Sequence, residues 1–130
     1  MPDDAPIRFS VVPGTFGVFR LDGAAPVPEW ASGSDFLSVT RTREELSVIC
    51  SEQPVPASIR SERGWALLRL QGPFPFDTVG ILAAFSVPLA EAGVSILAVG
   101  TFDTDYVLVK KTSLEDAVRA LEGAGHELVR

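Results

Sequence analysis

The chain has one cysteine, one histidine, one methionine and one tyrosine among its 130 residues. A lone cysteine excludes an internal disulfide, and Cys50, inside the apolar run Leu46 to Cys50, reads as a small buried residue, not a nucleophile. His126, between Gly125 and the chain end, reads as a surface or turn residue and not as a base. With no spaced His or Cys cluster there is no metal-ligand pattern, and with no nucleophile elbow there is no Ser-His-Asp chemistry. Gly72-Pro73-Phe74-Pro75-Phe76 lacks the glycine spacing and the lysine of a phosphate loop, so its phenylalanines read as core or interface groups. No enzyme is expected, and neither a cofactor nor a metal.

Bases are also scarce: eleven against seventeen acids give a formal charge of -6. Arg41 and Arg43 are followed at once by Glu44 and Glu45, and Lys110 and Lys111 fall at a strand end where charge blunts edge pairing. No basic patch is segregated, so no nucleic-acid partner is expected. No apolar run approaches the roughly 20 residues that span a bilayer, so no membrane association is expected. The start, Met1-Pro2-Asp3-Asp4-Ala5-Pro6, has neither the basic nor the apolar part of a signal peptide, which points to the cytoplasm and to a flexible end over residues 1–6.

What the chain does have is a clear order of elements in its second half. Trp65 to Leu70 is an apolar strand, and Asp77 to Ala92 has helical spacing, with Asp77 or Thr78 as cap and Ile81, Leu82, Phe85 and Leu89 on one apolar stripe. Pro88 falls inside that helix, where it deletes one backbone bond, and Gly93 ends it. Gly93 to Val109 then reads as a hairpin, two β-prone runs around the polar tip Asp103, Thr104 and Asp105. Leu114 to Leu121 forms a second helix, with Ser113 as N-cap, Leu114, Ala117, Val118 and Leu121 inward, and Glu115 and Arg119 paired outward at i,i+4. Glu127 to Arg130 is a short last strand. The order is strand, helix, strand, strand, helix, strand, the split βαβ or ferredoxin-like motif.

The first half follows the same plan with less helix. Ile7 to Leu21 is β-prone around Pro13-Gly14, as a hairpin or as one strand broken by a bulge. Val27 to Ala31 allows one helical turn with Pro28 near its start. Phe36 to Thr42 alternates as a strand, Arg43-Glu44-Glu45 turns, and Leu46 to Cys50 runs back. Ala57 to Glu62 is too short for a robust helix. An offset of 60 residues sets Val39–Ile49 beside Val99–Val109, so the chain reads as two βαββαβ units. The expected fold is α+β, two ferredoxin-like units side by side with shortened helices in the first, over residues 7–62 and 63–130.

Three spaced segments carry a resemblance to a known family: Phe36–Val48, Gly64–Gly72 and Thr101–Val109. Together they resemble the tandem ACT proteins of the CASTOR-like type. That resemblance implies a small-molecule sensor or regulatory module without chemistry of its own, whose ligand is a small amino acid and whose protein partner is unknown. Animal members carry two such pairs of units and this chain one, so a homodimer would stand in for the doubled chain. The site candidate is the loop between Leu70 and Ile81 together with the strand end Gly100 to Asp105, and by the same resemblance the ligand lies where the start of the first helix, Val79, Gly80 and Ile81, meets the hairpin at Gly100, Thr101, Phe102 and Asp105. Glycine admits a ligand to the backbone, helix-start N–H groups attract a carboxylate, and an acid holds an ammonium or guanidinium. The competing readings are that Gly80 permits close packing and Asp103 to Asp105 form only a turn, and that the fold serves only dimerisation or protein interaction.

Overall fold

A computed structural model describes residues 6–130. The flexible end expected over residues 1–6 lies, but for Pro6, outside the described residues. The chain divides into two compact units, one of Gly14–Trp65 and one of the described residues up to Pro13 together with Ala66–Arg130. This division differs from the expected 7–62 and 63–130, because residues 7–13 belong to the unit built mostly from the second half. The strand β1 (Arg8–Leu21) is continuous through Pro13-Gly14, with Gly14 at φ +109, so one strand and not the hairpin is realised.

The larger unit runs β4 (Arg60–Leu70), α1 (Ile81–Glu91), β5 (Ile96–Gly100), β6 (Asp105–Lys110), α2 (Leu114–Gly123) and β7 (Glu127–Leu128). Its strand order is β7-β1-β4-β6-β5. β7 runs parallel to β1 through Arg8↔Glu127 and Phe9↔Leu128. β5 and β6 pair antiparallel from Ile96↔Val109 to Gly100↔Asp105. Lys110 therefore ends a strand flanked by β4 and β5, not an edge strand. The core contains Phe9, Leu68, Leu70, Phe85, Leu89 and Leu121. Complete burial of each such side chain contributes about 1.5–3 kcal/mol against conformational entropy.

Helix α1 starts later than the sequence suggests. Gly80, at φ +89, precedes Ile81 and no side chain caps the end, so neither Asp77 nor Thr78 is the cap. Pro75 to Thr78 instead closes a turn, Thr78 N–H donating to the Pro75 carbonyl at 3.1 Å. Phe85 and Leu89 are fully buried and Ile81 packs against the core, but Leu82 is 38% exposed and leaves the expected stripe. Both helices end in the same motif: Gly93 and Gly125 adopt positive φ. Val94 N–H returns to Leu89 O, and His126 N–H to Leu121 O. This 6→1 bond satisfies carbonyls that the helix end orphans, and glycine adopts the left-handed residue at least strain. In α2, Ala117 and Leu121 are buried, Leu114 and Val118 pack against the core, and Arg119 pairs with Glu115 at 3.2 Å. Ser113 stands at the N-cap without a side-chain bond, because the 3-10 turn Lys111–Ser113 leads into the helix.

In the Gly14–Trp65 unit the order is the end of β1, a 3-10 turn at Glu29–Ala31, β2 (Ser38–Arg41), β3 (Leu46–Ser51) and the start of β4, with strand order β2-β3-β1-β4. β2 is shorter than the expected Phe36 to Thr42. Where a second helix would stand, the loop after β3 is held by Arg63. Its guanidinium donates to the carbonyls of Glu52, Val55 and Pro56 and lies 5.1 Å from the centre of the Phe19 ring. Leu46, Val48 and Cys50 alternate inward along β3 as the period of two requires. The architecture is thus α+β and ferredoxin-like, with helix in the first unit shortened to the single 3-10 turn Glu29–Ala31.

The repeat is real, but its offset is 59, not 60. Arg41↔Leu46 closes one hairpin and Gly100↔Asp105 the other. Each turn opens on a threonine whose hydroxyl accepts from the N–H three residues on: Thr42 from Glu45, and Thr101 from Thr104. A one-residue shift exchanges the faces of a strand, so Asp105 corresponds to Leu46 and not to the turn residue Glu45.

Candidate functional site

After β4 the chain crosses the tip of the β5–β6 hairpin at Gly72. A Cβ there would lie 2.7 Å from the Asp103 carbonyl and 3.0 Å from Thr104 Cβ, so only glycine fits. Two hydrogen bonds fasten this crossing. Phe74 N–H donates to Asp103 O at 2.8 Å, and the buried Thr104 hydroxyl donates to Leu70 O at 2.7 Å. The tip itself is set by Thr101, whose N–H donates to Thr104 O at 2.8 Å.

Between the loop and the tip lies a cavity of about 200 Å³. Of the residues expected at a ligand, Ile81, Thr101, Phe102 and Asp105 line it. Three do not. Val79 is 82% exposed, and Gly80 lines a separate cavity. Gly100 lies behind Asp105, whose Oδ1 would be 3.3 Å from a Cβ placed on it. The other wall residues, Phe74, Pro75, Phe76, Thr78, Asp103 and Thr104, lie within the two stretches expected to form the site but were not singled out there. Which of them face the cavity depends on the close approach of Gly72 to the Asp103 carbonyl and Thr104, which no local pattern states. Phe74 packs on the core as expected, while Phe76 is 76% exposed and its ring meets that of Phe102, 79% exposed, edge-on at 5.0 Å.

The lining contains two carboxylates, Asp103 and Asp105, and no basic side chain. Its aromatic rim and its acids favour the same kind of guest, a cation, through ring quadrupoles and charged hydrogen bonds. At the neighbouring start of α1, the N–H groups of Ile81, Leu82 and Ala83 have no acceptor among the described residues, since Ala84 N–H is the first to bond, to Gly80 O at 2.8 Å. Such orphan donors attract a carboxylate.

The second cavity, about 400 Å³, is lined by Gly80, Ala84, Val87, Pro88 and His126 among others. His126 is not the expected surface residue; it is 8% exposed. Its Nδ1 accepts from Ile7 N–H at 3.0 Å, which fixes Nε2 as the protonated nitrogen, and Nε2 donates to Ala84 O at 2.9 Å. Both ring nitrogens are engaged with backbone, a structural use of the imidazole. Among the described residues no group of three or more His, Cys, Asp or Glu side chains is placed to hold a metal, and no helix is long and apolar enough to cross a membrane.

Residues 60–123 match the family model of the ACT domain, and residues 14–58 match the model of an N-terminal domain family. The solved structure of protein Atu0741 from Agobacterium tumefaciens is similar over 96% of this chain and 93% of that one, at 38% identity and a TM-score of 0.91. Protein VC0802 from Vibrio cholerae shares the fold at 19% identity and a TM-score of 0.74, over 95% of this chain and 92% of that one. The regulatory subunit of aspartate kinase from Thermus thermophilus shares it at 16% identity and a TM-score of 0.60, over 93% and 99% of the two chains. Among curated proteins, the human cytosolic arginine sensor for mTORC1 subunit 1 is 34% identical over 59 residues, 45% of this chain. The matched segment spans only 18% of that relative. The chain therefore belongs to one family with Atu0741, and its residues 60–123 resemble an ACT domain.

Proposed function

We propose that this protein is a non-catalytic sensor or regulatory module of the tandem, CASTOR-like ACT type that binds a small amino acid in the cavity between the α1 start and the β5–β6 tip. The observation that carries this reading is the convergence, on one small cavity, of the Asp103 and Asp105 carboxylates with Ile81 at the head of a helix whose first N–H groups are unused. An α-amino acid brings both complements: a carboxylate for the helix start and an ammonium for the acids. The partial likeness to an arginine sensor favours a ligand with a second cation, which the exposed Phe76 and Phe102 rings would flank. Val79, Gly80 and Gly100 act in this reading as the backbone frame of the site, not as its walls.

We place the protein in the cytoplasm as a homodimer. β5, an end strand of its unit, carries no charge from Ile96 to Gly100, and an uncharged edge invites pairing with a second copy. A thermal-shift screen of the twenty amino acids tests the ligand: at 100 times its dissociation constant a ligand raises stability by about 2.7 kcal/mol. No shift with any of them would transfer the weight to the alternative, a non-sensing dimerisation or interaction module with the same fold.

A further inference from the structure

We infer that the Gly14–Trp65 unit carries a binding site of its own, at Trp30, for a small organic cation of the quaternary ammonium or guanidinium type. The site follows from the loss of helix in this unit. A single 3-10 turn, Glu29–Ala31, stands where a full helix would cover the strands, and between it and the end of β3 lies a cavity of about 450 Å³. That volume falls within the roughly 300–1,000 Å³ of small-molecule sites.

The walls are fixed by bonds that use up most of their polar groups. The Ser34 hydroxyl donates to Phe36 O at 2.6 Å and accepts from Ser51 N–H at 2.9 Å, and the Ser32 hydroxyl donates to Glu29 O at 2.8 Å. Trp30 is held by the Phe19 ring, 5.4 Å away at 66°. Two lining groups have no partner among the described residues, the Glu29 carboxylate and the Gln53 carboxamide. The lining thus offers one indole, one formal charge, which is negative, and one neutral amide. An indole and a carboxylate attract the same guest, a cation, whereas an anion would meet Glu29 and a purely apolar guest would desolvate it without compensation. This site is independent of the cavity beside α1.

The test is a titration of the full chain with tetramethylammonium chloride, followed through backbone amide shifts, with sodium chloride and uncharged tert-butanol as controls. Saturable shifts at residues 29–34 and 51–54, absent with sodium chloride and weaker with tert-butanol, are expected. Glu29→Gln, an exposed change that leaves the fold intact, should weaken the affinity at least about 3-fold. The inference is overturned if shifts do not saturate, if they fall only at residues 74–81 and 101–105, if tert-butanol binds equally well, or if Glu29→Gln binds as the parent does.

Discussion

His126 supplies the hydrogen bond that Pro88 takes away. In an unbroken helix the N–H of residue 88 would reach the carbonyl of Ala84; proline has none, and His126 Nε2 lies 2.9 Å from that oxygen. The imidazole also accepts from Ile7 N–H, so one side chain ties the middle of α1 to the end of α2 and the start of β1. Replacing His126 by alanine leaves a buried donor and acceptor unmet and should cost about 1–3 kcal/mol in denaturant unfolding. Pro88→Ala restores the helical donor, so the cost of losing His126 should fall by about 1 kcal/mol in that background. Additive losses in the double-mutant cycle would contradict the relationship.

Phe85 is fully buried and meets Phe9 edge-on at 5.4 Å. Phe85→Ala should lower stability by about 3–5 kcal/mol. An unchanged melting temperature would show that α1 does not anchor to the sheet through this residue.

Asp105 is half-buried in the cavity wall. If it meets the cationic part of a ligand, Asp105→Asn weakens calorimetric affinity by about 1.5–3 kcal/mol. Stability should change by under about 1 kcal/mol. Affinity equal to that of the parent chain would remove this residue from the site.

Burial pushes the Cys50 thiol up from 9.0 to about 11, with nearby Arg63 pulling in the opposite direction. Because the folded value lies above the unfolded one, the stability associated with the thiol is intact below about pH 9 and is lost as pH rises through about 11. At pH 10 the wild type should have lost about 1 kcal/mol more, relative to pH 8, than Cys50→Ala has. Thiol reagents should label Cys50 only on unfolding; rapid labelling of the native chain at pH 8 would contradict its burial.

Light scattering at micromolar concentration should give twice the 13.9 kDa of one chain. Introducing a lysine at Leu97, which is 36% exposed on the β5 end strand, should shift the population to monomer. A monomer mass for the parent chain would count against the edge as an interface.

The sequence by itself determined the parts whose physics is local. The apolar run Leu46 to Cys50, the stripe of Phe85 and Leu89, Gly93 at the end of the first helix and the two β-prone runs of the second hairpin each depend on neighbours a few residues away, so they were legible and the ferredoxin-like order followed. Tertiary structure decided what depends on partners far along the chain. Residues 7–13 join the larger unit because Phe9 finds its core among Leu68, Phe85 and Leu121, which no local pattern states. The hairpin offset of 59 was set by strand pairing, and a slip of one residue is invisible to a pattern that reads only apolar against polar. His126 looked like a turn residue because its donor and acceptor partners, Ile7 N–H and Ala84 O, lie 119 and 42 residues away. The cavity's walls were half legible for the same reason: hairpin residues such as Thr101 and Asp105 are held by local pairing, whereas Phe74 and Phe76 reach the site only because Gly72 lets two distant backbones touch.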